Sequence, residues 1–474
     1  MKRFLKTTVC FLALGFACHA QTVSIPDPVF KAKLVASDAT NNIAFDFLYN
    51  AIVVDTNHDG EIQVSEAAQV YILDVGHDLP TSVYIESLAG ISAFTNLRML
   101  MFNNNHITDF DITGLVNLTL LDCSQNLLES LNLPNLPLLE NLYCSKNQLT
   151  VLGLSAFPTL KNLGCDNNQL TSLDISQLPL LNSCYCSNNQ ITHIQLSGSP
   201  ALGYLSCDNN QLTSLDINGM PGAGQVSCSG NNITALSASN LPYLSSLDCS
   251  NNNLTSLSLT NLNYFSGLYC GSNQLQSLNL AGLPVLNVLG CSFNQFTSLD
   301  FSDFPTLYSL DCSYNQLTSL ELNYNYNLNE LFANNNQLTS LGIKNGRIET
   351  YINLAANPNL GYVCADSGQV GMLQTVVSFY GYNNCLVDSA CEVLGTEKFE
   401  PAGMAVYPNP VYSSLHIKSP YAIDTITIYN MGGQRVMDLV NPTQAIDVEA
   451  LPSGTYFLSA VSGGNLMHQK FVKQ

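Results

Sequence analysis

A period of 21 residues, kept through thirteen consecutive units without one insertion, limits what this chain can fold into more than any other feature. Aligned on Cys144, the units place Phe102, Cys123, Cys144, Cys165, Cys186, Cys207, Cys228, Cys249, Cys270, Cys291, Cys312, Ala333 and Leu354 in one column. Three residues further on every unit has an asparagine, from Asn105 through Asn147 to Asn357. A unit this short has an apolar face but no core of its own, so it becomes stable only when stacked on its neighbours. In Leu142-Tyr143-Cys144 the outer two residues share one face of a strand and Tyr143 takes the other, because strand side chains alternate. Leu142 and Cys144 are therefore expected inside and Tyr143 in solvent. The asparagine is expected to turn inward after the strand and satisfy backbone groups that would otherwise be buried without partners. The second half of the unit, Leu149 to Leu154 with a proline-containing turn behind it, is expected to close the coil on its convex side.

The pattern L-x-x-L-x-C-x-x-N-x-L resembles the leucine-rich repeat. That resemblance implies an α/β-type solenoid with a parallel strand ladder on its concave face, here spanning residues 85–360. The stretch from Ile85 to Leu97 resembles the internalin-like variant and leads into the regular ladder. Thirteen rungs at about 4.8 Å each give a stack on the order of 60 Å long.

The first twenty residues carry Lys2, Arg3 and Lys6, an apolar run from Val9 to Ala17, and small residues to Ala20. They read as a secretory signal cleaved after Ala20, with a lipid anchor on Cys18 as the rival. No later apolar run is long enough for a membrane-spanning segment. Removing the leader takes the formal charge from −20 to −23 with only 11% of residues charged, and such a surface repels phosphates. Nucleic acid is therefore not an expected partner.

Sixteen cysteines in an exported chain ordinarily suggest a disulfide framework. Here ten share the inward ladder column, where neighbouring strands lie about 4.8 Å apart, whereas bonded cysteines need Cβ atoms about 3.8 Å apart. They are expected as buried thiols acting as small apolar residues, and Cys184, two before Cys186, likewise.

Residues 21–84 are expected to cap the first rung. Asp27 is a plausible N-cap for a short helix opened by Pro28. Asp55-Thr56-Asn57-His58-Asp59-Gly60-Glu61-Ile62-Gln63-Val64-Ser65-Glu66 resembles the EF-hand calcium loop over all twelve positions. The resemblance implies one structural Ca2+ held by the side chains of Asp55, Asn57, Asp59 and Glu66, the carbonyl of Glu61, and Gln63 through water. A solvated acidic turn is the plain alternative.

Behind the ladder, residues 361–395 lack the repeat and contain Cys364, Cys385 and Cys391, with Val370 to Tyr380 apolar enough for a capping helix. The placement resembles C-terminal caps of secreted bacterial repeat proteins, and a Cys364–Cys385 disulfide closing the cap is the expected pairing. Spacing alone does not fix it. Residues 396–474 show period-2 alternation with Gly and Asn turns, which reads as a small all-β sandwich. The order of Tyr407-Pro408-Asn409-Pro410, the alternating strands, Leu451-Pro452-Ser453-Gly454-Thr455-Tyr456 and a basic end resembles the type A sorting domain of type IX secretion. It implies handling by that secretion machinery and release or attachment at the outer face of the outer membrane; a generic adhesive β-domain is the alternative.

Solvent-facing strand positions are where a partner would be met. Candidates are Tyr143, Tyr185, Tyr204, Tyr269, Phe332, Asp122, Asp166, Asp208, Asp248 and Asp311, since tyrosine offers large contact area at low entropic cost. The plain alternative is ordinary solvated positions on a repeat array. The expected function is binding or adhesion, through the concave face, to a protein or glycan. A structural surface or matrix component without a specific ligand is the second reading. A carbohydrate-active enzyme is the third: Asp166 and Asp208 lie two rungs, about 9.6 Å, apart, but no residue has an evident acid or base role, so no enzyme is expected.

Overall fold

The structure is a computed structural model that describes residues 21–76, 83–391, 405–419, 422–430, 434–442, 445–462 and 465–474. The leader expected at 1–20, with Cys18, lies outside these. The chain divides into two compact units, 1–390 and 391–474.

In the first unit the expected ladder forms one 15-stranded sheet. Ala44–Phe45 pairs antiparallel with Ile72–Asp74, and from there every strand is parallel, beginning with Met99–Met101 and ending with Tyr351–Asn353. Each rung contributes three strand residues in unbroken register, as in Asn141↔Asn162, Leu142↔Leu163 and Tyr143↔Gly164. The middle residue of each faces a single continuous core that runs from Val23 to Val387. A leucine taken from water into such a core contributes roughly 1.5–3 kcal/mol, and the period delivers several per unit.

Each strand ends the same way. The residue two after the ladder column takes a left-handed conformation, with φ of 58° at Asn104, 55° at Lys146 and 52° at Asn209. This swings the following asparagine inward. Asparagine tolerates such backbone better than most residues, which accounts for its frequency in this column. The inward asparagines then form a second ladder. Asn210 Nδ2 donates to the carbonyls of Cys186, Cys207 and Asp208 at 3.1, 3.0 and 3.1 Å, and its Oδ1 accepts from Ile191 N–H at 3.0 Å. The same four bonds recur at Asn126, Asn168, Asn252 and Asn336. Two of the four reach the preceding rung, so the asparagines bind rung to rung.

The ladder cysteines from Cys123 to Cys312, and Cys184, are buried free thiols. Loss of hydration penalises the thiolate and pushes the Cys270 thiol up to about 12. Two keep a weak donor role: Cys186 and Cys207 Sγ–H point at the Ser206 and Ser227 carbonyls at 3.4 and 3.3 Å.

On the convex side the chain runs through turns and short parallel pairs, such as Ala235–Ser239 with Ser256–Thr260. The helices lie in the caps. Helix α1, Pro28–Val35, buries Phe30 and Leu34 and starts at Asp27 as expected. Helix α2, Val64–Ala67, follows the acidic loop, and helix α3, Val370–Phe379, buries Leu373 and Val377 over the last rungs.

One expectation is corrected. Cys364 and Cys391 are disulfide-bonded, whereas Cys385 is free. The reason is register. The last convex strand, Leu386–Asp388, pairs parallel with Tyr362–Ala365 so that Leu386 stands opposite Tyr362 and Asp388 opposite Cys364. Cys385 is thereby set beside Gly361, three residues or about 10 Å along the strand from Cys364, beyond the reach of a disulfide.

The second unit is all-β. One antiparallel sheet holds Ala405–Tyr407, Ser414–Lys418 and Ala445–Asp447, and the other holds Arg435–Val440, Thr425–Asn430, Gly454–Ser462 and Asn465–Lys473. Val411, Leu415, Ile417, Ile426, Ile428, Leu458 and Phe471 form its core, drawn from both sheets.

Candidate functional site

Because the pleat alternates, the concave face is built from the residues before, between and after the inward Leu and Cys of each rung. The structure gathers the candidate residues into three groups. Asp122, Tyr143, Asp166, Tyr185, Tyr204 and Asp208 occupy five consecutive rungs; Asp248 with Tyr269 and Asp311 with Phe332 occupy adjacent rung pairs.

The aromatic side chains are seated by small or aromatic neighbours. A Cβ on Gly164 would lie 3.0 Å from Tyr143 Cδ1, and one on Gly290 3.2 Å from Tyr269 Cδ1. Each tyrosine thus leans over the glycine of the next rung, with no room there for a larger residue. Tyr185 and Tyr204 bring their ring centroids to 4.9 Å, and Phe332 meets Tyr351 at 4.7 Å. Tyr351 was not among the sequence candidates, although it occupies the same strand position as Tyr204. Phe293 and Tyr314 also stack, at 4.0 Å and 10°, from the left-handed column where asparagine is the commonest residue. Two aromatic residues in an asparagine column were the visible signal for that pair. Burial first, then the charges of Asp122 and Tyr185, raise the Tyr143 phenol above its ordinary value; burial, Tyr185 and Asp208 do the same at Tyr204. Both rings stay neutral near pH 7.

The carboxylates are held from below. Asp122, Asp248 and Asp311 each accept on Oδ1 from the amide and hydroxyl of the serine two residues on. Asp208 is more deeply tied: Oδ1 accepts from Ser227 Oγ and Ser229 N–H, and Oδ2 from Ser206 and Ser187 Oγ, joining three rungs. Asp166 accepts only from Asn167 Nδ2, at 3.3 Å.

In the acidic loop, Asp55, Asn57, Asp59 and Gln63 form one cluster. Asp55 accepts from the amides of Asp59 and Gly60, and Asp59 Oδ2 accepts from both Asn57 Nδ2 and Gln63 Nε2 at 3.0 Å. The Glu61 amide, ahead of the two side-chain amides and Lys31, holds the Asp59 carboxyl below its usual value. The Glu61 side chain pairs with Lys31 at 2.6 Å, which leaves its carbonyl as the group relevant to a cation. Glu66 is turned into the protein: Oε1 accepts from Thr56 N–H and Oγ1, and Oε2 from Gln63 N–H, which caps helix α2. Among the described residues no group of three His, Cys, Asp or Glu side chains converges on one metal-sized point. Asp55, Asn57, Asp59 and Gln63 offer the carboxylate and amide oxygens that a hard cation takes, with Asn57 Oδ1 also accepting from Asp59 N–H at 2.9 Å.

Residues 405–474 match the family of secretion system C-terminal sorting domains. No curated protein matches the chain. Among solved structures, the functional domain of InlJ from Listeria monocytogenes, described as including a cysteine ladder, is similar at a TM-score of 0.55 and 23% identity, over 96% of this chain and 99% of that one. YopM from Yersinia pestis is similar at 0.47 and 24%, over 64% of this chain and 78% of that one. YopM from Yersinia enterocolitica is similar at 0.44 and 26%, over 60% and 67%. The first unit is a leucine-rich repeat solenoid. The second is a type IX secretion sorting domain, so the protein is secreted or attached at the outer membrane surface. Among the described residues no helix is long and apolar enough to cross a membrane.

Proposed function

We propose that this protein is a secreted or surface-held recognition protein that binds a protein or glycan partner through the concave face of its solenoid. One observation carries the reading: the inward Leu, Cys and Asn columns hardly change, while the outward positions of the same strands vary from Tyr to Asp to Gly to Ser. A purely structural stack needs no such variation, and repeat proteins meet their partners on this kind of extended surface. The open face suits this role better than two notches among the described residues do. Convex notches lined by Leu280 and Asp303, and by Leu154 and Asp174, have volumes of about 150 and 180 Å³, below the roughly 300 Å³ of ordinary small-molecule pockets. A catalytic role for the Asp166 and Asp208 pair is disfavoured because both oxygens of Asp208 already accept from serines.

The test is a binding screen of the full mature chain against a glycan array and a panel of surface proteins. Tyr143→Ala/Tyr185→Ala/Tyr204→Ala is expected to weaken a saturable hit at least about tenfold, as for central aromatic anchors, with little change in Tm. A blank across both panels would leave a structural surface component as the better reading.

The loop at 55–66 is proposed to brace the N-terminal cap with one Ca2+. Addition of Ca2+ is expected to raise Tm, and Asp55→Ala/Asp59→Ala to abolish that rise. Glu66→Ala is expected to lower Tm with or without Ca2+, because it removes loop and cap hydrogen bonds; a Ca2+ response that survives the Asp55 and Asp59 changes would place the ion elsewhere.

A further inference from the structure

The concave face has an order beyond its variation. Counting the three outward positions of each of the thirteen rungs gives six carboxylates, Asp122, Asp166, Asp208, Asp248, Asp311 and Glu330, and not one lysine or arginine. Basic residues do occur in the repeats: Arg98, Lys146 and Lys161 immediately flank the counted positions, and Lys344 and Arg347 lie in the last units. Among the described residues the ion pairs are Lys31–Glu61, Lys161–Glu140 and Arg435–Asp438, so none of the six carboxylates is neutralised by a salt bridge within the protein.

Acid and ring also alternate. Asp122 is followed on the next rung by Tyr143, then Asp166, Tyr185 and Asp208; after one rung bearing Ser227 the order resumes with Asp248 and Tyr269. From Asp122 to Asp248 the carboxylates recur every second rung, about 9.6 Å along the ladder axis, with an aromatic ring on two of the three intervening rungs; Asp311 and Glu330 stand outside this spacing, on adjacent rungs further along. That separation is too large for two of those four to share an ion. The rings are not spare surface: Tyr143 and Tyr269 are seated on glycines, and Tyr185 and Tyr269 remain 40% and 43% exposed.

We infer that the concave face takes an extended basic polypeptide segment with a lysine or arginine at every third residue, each cation lying between a tyrosine ring and a carboxylate. The inference rests on the concave-face recognition reading and names the class of partner. Charge complementarity selects a cationic occupant, and the alternation selects its form, since a ring face and a carboxylate both attract an ammonium or guanidinium group. Spacing selects its conformation. A polyproline II segment rises about 3.1 Å per residue with three residues per turn, so every third side chain points the same way about 9.3 Å apart. A β-strand would turn every third side chain to its opposite face.

The experiment uses the full mature chain and a labelled 18-residue peptide of repeated Pro-Pro-Lys, followed by fluorescence anisotropy. Two comparison peptides carry glutamate in place of lysine, or the same lysines grouped at one end. Saturable binding of the spaced peptide is expected, weakening as salt is raised; the grouped peptide is expected to bind at least about tenfold more weakly and the glutamate peptide not at all. Asp122→Asn/Asp166→Asn/Asp248→Asn, which leaves the tightly bonded Asp208 in place and keeps the isosteric Oδ1 contacts, is expected to weaken binding at least about tenfold with Tm unchanged. Equal affinity for spaced and grouped lysines, or full binding by the triple variant, would overturn the inference. An uncharged oligosaccharide bound through Tyr143, Tyr185 and Tyr204, with no affinity for the lysine peptide, would likewise overturn it while leaving the recognition reading intact.

Discussion

Asn210→Ala is expected to destabilise the solenoid by about 4 kcal/mol, far beyond an ordinary surface substitution, because the side chain it removes makes four buried hydrogen bonds. The Ile191 amide loses its acceptor and the Cys186 carbonyl loses a donor, and both lie on the preceding rung. Damage therefore falls on the contact between two rungs rather than within one. In a stack whose stability is a sum of unit and nearest-neighbour terms, a weakened central interface lets the two sides unfold separately. The expected signature is a denaturant transition that broadens or splits, with faster hydrogen exchange at Ile191. Asn210→Asp is a sharper test. It keeps an acceptor for Ile191 but sets a carboxylate against three carbonyl oxygens, so at pH 7 it should be at least as damaging as alanine. Acidic pH should restore part of the loss, since the protonated acid can donate to one of those carbonyls. A variant that unfolds in one sharp transition at the wild-type midpoint would show that the asparagine ladder does not bind the rungs together.

What could be read from the sequence was whatever the period repeats. The inward leucines and cysteines, the turning asparagine, the outward tyrosines and the unbonded thiols all follow from a column position plus strand alternation. The features that escaped are those where the period fails. The expected Cys364–Cys385 bridge assumed nothing about register, and the last convex pair is offset by 24 residues, not 21, which carries Cys385 past its intended partner. At Glu66, a ligand position in the acidic loop, the sequence did not show that both oxygens accept from the nearby Thr56 and Gln63 amides. The alternation of acid and ring on the concave face spans two rungs and is invisible at a period of 21.

The second large effect is expected at Asp27. The sequence marks it as a helix cap, and Oδ1 accepts from Val29 and Phe30 N–H, both at 2.9 Å. Its other oxygen has a separate task. Oδ2 accepts from Glu86 and Ser87 N–H at 2.8 and 2.9 Å, about sixty residues away, where the chain enters the first repeat. One buried carboxylate thus satisfies four backbone amides and ties helix α1 to the start of the ladder. A capping residue replaced by alanine ordinarily costs about 1 kcal/mol, and each buried amide left without a partner adds roughly 1–3 kcal/mol. Asp27→Ala should therefore cost about 4 kcal/mol, and Asp27→Asn, which keeps one oxygen, about half of that. Because only Oδ2 reaches the repeats, the two roles can be separated by hydrogen exchange. Loss of protection at Val29 and Phe30 alone would mean a cap and nothing more. Simultaneous loss at Glu86 and Ser87, followed by fraying of the first rung at Leu100, is the expected result, since a solenoid whose terminal cap detaches exposes the apolar face of its outermost unit.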